Sequence, residues 1–320
     1  MTNSYAKAHK QTGVAKMSTD AELRSERQPD VRGQGHQRVR RGPVSETITI
    51  EHRGRSYEIA TFVRPGARKP LLYLHGLGST KEDFLSAARV PQLADRTLVS
   101  FDFPGCGRSS IYHPEIPLGI DDLATLTHAV ARRLDLGEVT LIGQSLGGLT
   151  GLQVSRRYPE LVARFINVEG NLAPEDCEIQ SRDVFRHRFL GDEDRFFERV
   201  RDRLGSAGGA VLDAFVASMR DNIVDRAYFD YCRSIVDYSD NFALLDEFAA
   251  LPMPRMFIHG SDNANLSYLP GLESAGIPVV SVPHSGHFPA ASNPDYYYEA
   301  IARFIGTNGS APSRPRAGSL

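Results

Sequence analysis

The sequence predicts an α/β fold, an open and mostly parallel doubly wound sheet that carries a helical lid insertion, and three observations point to it. Apolar runs at 70–74 and 139–142 and mainly apolar buried-strand patterns at 97–103 and 255–259 are each followed by a turn or loop, glycine-bearing in every case. Runs without polar alternation are what strands buried on both faces require. Helical spacing follows most of these turns, so strand, turn and helix recur as βα units, which stack into a parallel sheet with helices on both faces. Between 171 and about 247 this alternation stops, and only charged segments of helical spacing remain.

Taken in order, 47–51 and 57–63 alternate apolar and polar residues around His52-Arg53-Gly54-Arg55, which reads as a β-hairpin with one solvated face. The buried strand at 70–74 ends in His75-Gly76-Leu77-Gly78, and Ser79 or Thr80 opens a helix. The strand at 97–103 leads into Pro104-Gly105-Cys106-Gly107-Arg108-Ser109, and 118–134 is an amphipathic helix. The strand at 139–142 and the helix at 146–158, closed by Pro159, flank Gly143-Gln144-Ser145-Leu146-Gly147. A β-rich run at 163–168 ends at Glu169. Helices are expected at 183–189, 192–204, 210–221 and 226–238, with Gly205-Ser206-Ala207-Gly208-Gly209 as a helix-breaking hinge. A strand at 255–259, a short helix at 269–274, a last strand at 278–282 and a closing helix at 294–305 complete the core. The organisation is a disordered tail at 1–42, core at 43–170, insertion at 171–250, core again at 251–306, and a second disordered tail at 307–320.

Composition narrows the class. A chain of 320 residues with 41% hydrophobic and 24% charged residues can bury a sizeable core. No apolar run approaches the length of a membrane span, and the polar start lacks the apolar segment of a secretory signal, so the expected location is cytoplasmic. The three cysteines, Cys106, Cys177 and Cys232, have no paired spacing, which suits free thiols rather than a disulfide framework or zinc site. Residues 1–42 hold nine Lys or Arg against four Asp or Glu, which leaves −7 on the remainder of a chain of net charge −2. A short basic stretch such as Arg38-Val39-Arg40-Arg41 in a tail of few large apolar residues reads as solvated chain, not as a nucleic-acid site. Met17 offers a second start.

The chemistry centres on Ser145. A serine at the tip of a sharp strand-to-helix turn takes a strained backbone conformation, and the residues two before and two after it come too close for side chains. Gly143 and Gly147 stand at those places. The turn lifts the hydroxyl over the carboxyl edge of the sheet, with the next helix N-terminus aimed at developing negative charge. A serine hydroxyl needs a base, and the base needs an orienting acid. His287 lies just past the last strand in Pro283-His284-Ser285-Gly286-His287, placed to reach the sheet edge; His284 is too near the strand end, and His75 and His259 suit loop-bracing hydrogen bonds. Two carboxylates compete as the acid. Glu169 ends an apolar strand, where an ionised group needs a partner, whereas Asp262 lies among polar loop residues and can simply cap a turn. Glu169 is favoured, with Asp262 as the alternative.

Four landmarks in order resemble the α/β-hydrolase fold superfamily over roughly residues 45 to 306: His75-Gly76-Leu77-Gly78, Asp102-Phe103-Pro104-Gly105-Cys106-Gly107-Arg108-Ser109, Gly143-Gln144-Ser145-Leu146-Gly147 and Gly286-His287. The resemblance implies an oxyanion hole formed by the backbone N–H groups of Leu77 and Leu146. In the commonest family pattern the aspartate stands three residues after the glycine; here Asn263 holds that place after Gly260, and Asp262 is one residue early. A branch of the haloalkane dehalogenases carries a glutamate after the sixth strand, and Glu169 stands at the matching position. With serine at the elbow the resemblance implies acyl transfer to water on a small ester-like substrate, without metal or organic cofactor. Carbon–carbon bond hydrolases, perhydrolases and receptor-like binders share the fold, and substrate groups and oligomeric state are not legible at this level.

Overall fold

Side chains that alternate across a strand build this sheet from both faces at once. The computed structural model describes residues 43–177, 181, 182, 184 and 210–306. The expectations for the tails at 1–42 and 307–320, the helix at 192–204, the hinge at 205–209 and most of the helix at 183–189 fall outside these residues.

Strands β1 (Val44–His52) and β2 (Arg55–Arg64) form the antiparallel hairpin, with Arg53 at φ 49° and Gly54 at φ 73° in its two-residue turn. Two consecutive left-handed residues give a turn whose twist matches that of the paired strands. The remaining strands are β3 (Arg68–Leu74), β4 (Arg96–Phe101), β5 (Val139–Gln144), β6 (Val162–Val168), β7 (Arg255–Gly260) and β8 (Val279–Val282). They form one sheet in the order β1-β2-β4-β3-β5-β6-β7-β8; β1–β2 and β2–β4 are antiparallel and every later pairing is parallel.

The principal helices are α1 (Ile120–Arg133) and α2 (Leu146–Arg157), then α3 (Ala210–Asn222), α4 (Asp225–Asn241) and α5 (Leu244–Ala249) between β6 and β7. Helix α6 (Leu269–Ser274) precedes β8, and α7 (Pro289–Ser292) and α8 (Pro294–Gly306) follow it. Leu72 and Leu74 of β3 enter one apolar cluster while Leu71 and Tyr73 enter another, and Phe257 of β7 is opposed in the same way by Met256 and Ile258. The first cluster is closed by α1 and α2 through Leu123, Leu126, Leu149 and Leu152, the second by α8 and the segment at 81–89 through Tyr297, Ile301 and Phe84. Each such side chain contributes about 1.5–3 kcal/mol on full burial, so both layers hold the sheet.

The helix expected after β3 is instead a 3-10 segment, Lys81–Arg89. Its first turn is claimed by tertiary hydrogen bonds: the Lys81 N–H donates to Asp102 Oδ1 at 2.7 Å, and the Lys81 carbonyl accepts from Ser100 Oγ at 3.1 Å. The Ser100 bond competes for the Lys81 carbonyl, and the chain tightens to an Asp83 N–H to Thr80 carbonyl bond of 3.2 Å. Strand β4 stops at Phe101, short of the expected 103, because Asp102 turns its carboxylate to Lys81 and to the Arg108 N–H at 3.0 Å. Helix α5 was not expected from the sequence.

Asp102 is wholly buried, and its Oδ2 accepts Lys81 Nζ at 2.7 Å. Glu82 Oε1 reaches the same ammonium at 2.9 Å from the surface side. Asp102→Ala is expected to cost about 3 kcal/mol, the lower end for breaking one side of a buried ion pair, since Glu82 still offers Lys81 a partner. The urea unfolding midpoint measures it, and an unchanged midpoint contradicts it.

Candidate active site

At the carboxyl edge of the sheet, Ser145 sits between β5 and α2 at φ 53° and ψ −117°. Its N–H donates to the Val168 carbonyl of β6 at 2.9 Å, and its carbonyl accepts from Gly148 at 2.8 Å, so neighbours on both sides hold the strained residue. The two flanking glycines are dictated by contact. A Cβ on Gly143 would stand 2.1 Å from the Gly147 carbonyl oxygen, and one on Gly147 would stand 2.2 Å from the Leu74 carbonyl oxygen. Because Leu146 opens α2, its N–H lies outside the intrahelical ladder, at the positive end of the helix dipole.

The loop after β3 faces this turn. A Cβ on Gly76 would lie 2.0 Å from Gln144 Oε1 and 3.4 Å from Ser145 Cβ, so a side chain here would have to displace the Gln144 amide from beside the elbow. His75 fixes the loop: its Nε2 accepts the Phe103 N–H at 3.0 Å, which leaves the proton on Nδ1 to donate to the Gly76 carbonyl at 2.8 Å. Burial lowers its pKa, so the ring stays neutral in this arrangement. His259 makes the same local bond, from Nδ1 to the Gly260 carbonyl at 2.8 Å. Leu77 follows Gly76 and is almost fully buried. Helix α3 packs on Gly78, where a Cβ would meet the Phe215 ring at 2.8 Å.

His287 lies on the loop after β8. Its Nδ1 is 3.2 Å from Glu169 Oε2, which joins residues 118 positions apart. With Nδ1–H donating to the carboxylate, Nε2 is the ring's acceptor. Glu169 itself is at φ 54°, and its side chain is 4% exposed. Its Oε1 accepts the Gly260 N–H at 2.7 Å and its Oε2 accepts Asn263 Nδ2 at 2.8 Å, so the carboxylate is held from β7 as well as by the imidazole. Asp262 is exposed and runs alongside Gly286, with Oδ2 3.6 Å from where a Cβ on that residue would stand; its N–H donates to the Ser285 carbonyl at 3.0 Å. His284 is exposed, at φ 54°. The structure therefore brings Glu169 and His287 together and leaves Asp262 and His284 at the surface.

Two contributors were not singled out from sequence. Asn263, noted there only as the residue occupying the family aspartate's place, donates to the carboxylate. Gln144 Nε2 donates to the His287 carbonyl at 3.1 Å and ties the histidine loop to the elbow; its position next to Ser145 was the available signal. The cysteines are all free and buried, and burial pushes their thiols up, Cys177 to about 11 and Cys106 and Cys232 further. A thiol held protonated in this way is a poor nucleophile. Among the described residues no helix is long and apolar enough to cross a membrane, and no group of three or more His, Cys, Asp or Glu is placed to hold a metal ion.

A model of the alpha/beta hydrolase family matches residues 71–300. The biotin biosynthesis bifunctional protein BioHC of Teredinibacter turnerae is 28% identical over 267 residues, which cover 74% of this chain and 45% of that protein. A poly(3-hydroxyalkanoate) depolymerase of Ectopseudomonas oleovorans is 36% identical over 128 residues, 38% of this chain and 42% of that one. The chain spans less than half the length of these two curated relatives. A thermophilic esterase from Thermogutta terrifontis has the same fold, with a TM-score of 0.64 at 22% identity over 82% of this chain and 98% of that structure.

Proposed function

Because the chain belongs to the α/β-hydrolase family of enzymes, we propose that it is a serine hydrolase that cleaves a small ester-like substrate, a carboxylic ester, thioester or lactone, through an acyl-enzyme. The observation that carries this reading is the His287–Glu169 contact of 3.2 Å at the same sheet edge as the strained Ser145 elbow. In the mechanism, His287 Nε2 takes the proton of the Ser145 hydroxyl as Oγ bonds to the substrate carbonyl carbon. Charge that develops on the carbonyl oxygen is met by the N–H groups of Leu77 and Leu146, the second at the head of α2. The imidazolium, stabilised by Glu169, gives the proton to the departing oxygen or sulfur, and the bond to the leaving group breaks. Water, deprotonated by His287, then attacks the acyl-enzyme and releases the acid and Ser145.

The reading assigns residues 171–250 to a lid over the site, supported by the packing of α3 on Gly78 of the loop that faces Ser145. Two further contacts hold the α3–α4 corner and α4 itself to the loop at 104–109: the Val224 N–H donates to the Gly105 carbonyl at 2.8 Å, and Tyr231 Oη to the Pro104 carbonyl at 2.6 Å. It also assigns a cytoplasmic location and a small-molecule partner rather than nucleic acid, and the chemistry calls on no cofactor. Steady-state hydrolysis of a small chromogenic ester tests the proposal. Many turnovers per enzyme molecule are expected; a single stoichiometric event without turnover would point to a receptor-like member of the fold.

A further inference from the structure

On the face of the sheet covered by α8 and the segment at 81–89 lies a cavity of about 670 Å³, within the range that takes a small organic molecule. Gln144 lines it on the sheet side, whereas Ser145 is not among its described lining residues. One wall is aromatic: Phe215 of α3 and Phe288 of the histidine loop stand with ring centroids 4.6 Å apart, tilted by 42°. The lining also includes the polar side chains of Ser79 and Ser86 and one charged group, Asp83. Asp83 is exposed and lines the cavity, with the body of the protein packed close about its carboxyl.

That crowding pushes the Asp83 carboxyl up to about 6, against the Ser79 hydroxyl, which pulls it back. Glu82 and Asp102, carboxylates that are each paired with Lys81, add a smaller push in the same direction. Tyr297, whose side chain is wholly buried in the cavity wall, has a hydroxyl without a hydrogen-bond partner among the described residues, and the same holds for Gln144 Oε1. A ligand that suits this set has an apolar ring for the Phe215–Phe288 wall and a cation with N–H donors for the carboxylate and the neighbouring acceptors. A neutral alcohol meets the hydroxyls and leaves the charge unmet; an anion meets a carboxylate of its own sign.

We propose that this cavity binds a small arylalkylamine, its ring against Phe215 and Phe288 and its ammonium on Asp83, at a site distinct from the ester-cleaving centre. The site adjoins that centre through Gln144, whose amide holds the His287 carbonyl, and through Phe288, the next residue in the chain. The binding claim does not depend on the assignment of Ser145.

The test is calorimetric titration of the full-length protein with phenethylamine, against 3-phenylpropan-1-ol as the neutral counterpart of similar size, at about pH 8, where Asp83 is ionised and the amine protonated. One amine per chain is expected. Asp83→Asn should weaken the amine by about tenfold, the scale of a lost charge-assisted hydrogen bond, and leave the alcohol unchanged. Ala291→Leu, which adds bulk to the cavity lining, should weaken both, and melting curves check that each variant is folded. Absence of amine binding, or equal amine affinity in folded Asp83→Asn, would overturn the proposal, as would full amine affinity in folded Ala291→Leu.

Discussion

Replacing Ser145 by alanine is expected to lower ester turnover by roughly 10⁶-fold, the scale seen when the nucleophile of a serine-histidine unit is removed. The expectation rests on the elbow. Its geometry is maintained by backbone bonds to Val168 and Gly148 and by the contacts that require Gly143 and Gly147, none of which uses the Ser145 hydroxyl. The alanine variant should therefore keep the wild-type melting temperature while it loses activity. His287→Ala should lose a comparable factor, and the double variant should be little worse than either single one, because nucleophile and base act as a unit. His284→Ala should retain most activity, since that side chain is exposed beyond the last strand. Comparable losses in His284→Ala and His287→Ala would show that the base had been misassigned.

The second large effect is expected at Glu169. Glu169→Gln retains size, and its amide oxygen can take the place of Oε1 and still accept from Gly260. Its amide nitrogen, however, would face Nδ1 of His287 as a donor, which favours the ring tautomer that cannot take the Ser145 proton. A loss of about 10⁴-fold in kcat is the scale for that substitution in serine proteases. Asp262→Asn should cost roughly tenfold or less, because the residue is exposed and its backbone N–H bond to Ser285 survives. The measurement is kcat for both variants, with a melting curve for each. A severe loss in Asp262→Asn beside a near-normal Glu169→Gln would move the role to Asp262.

How far each feature was legible in the sequence depends on how local its cause is. The hairpin turn and the paired faces of β3 and β7 follow from residue order alone, since left-handed Arg53-Gly54 and strand alternation are local physics. Gly143 was legible for the same reason, since the atom it must avoid, Gly147 O, belongs to the same turn; the atom that Gly147 avoids, Leu74 O, arrives only when β3 pairs with β5, and that glycine was read from the elbow pattern. Glu169 was visible as a charge at the end of an apolar strand. Its clamp was not, because Gly260 and Asn263 join it only when β6 and β7 pair. The 3-10 segment was missed because the groups that hold Lys81, Ser100 and Asp102, lie 19 and 21 residues further on in the chain. Asp83 was likewise unremarkable as an acid in the first turn of a helix, and only the approach of α3 and the 288–291 turn gives it a cavity.

The most direct test of the central claim is peptide mapping by mass spectrometry after treatment with a serine-reactive fluorophosphonate, with ester turnover followed in parallel. The account predicts one phosphonyl group per chain, on the peptide that contains Ser145, and loss of turnover in step with labelling. A label on any other residue, or ester turnover that persists in protein fully labelled at Ser145, would contradict it.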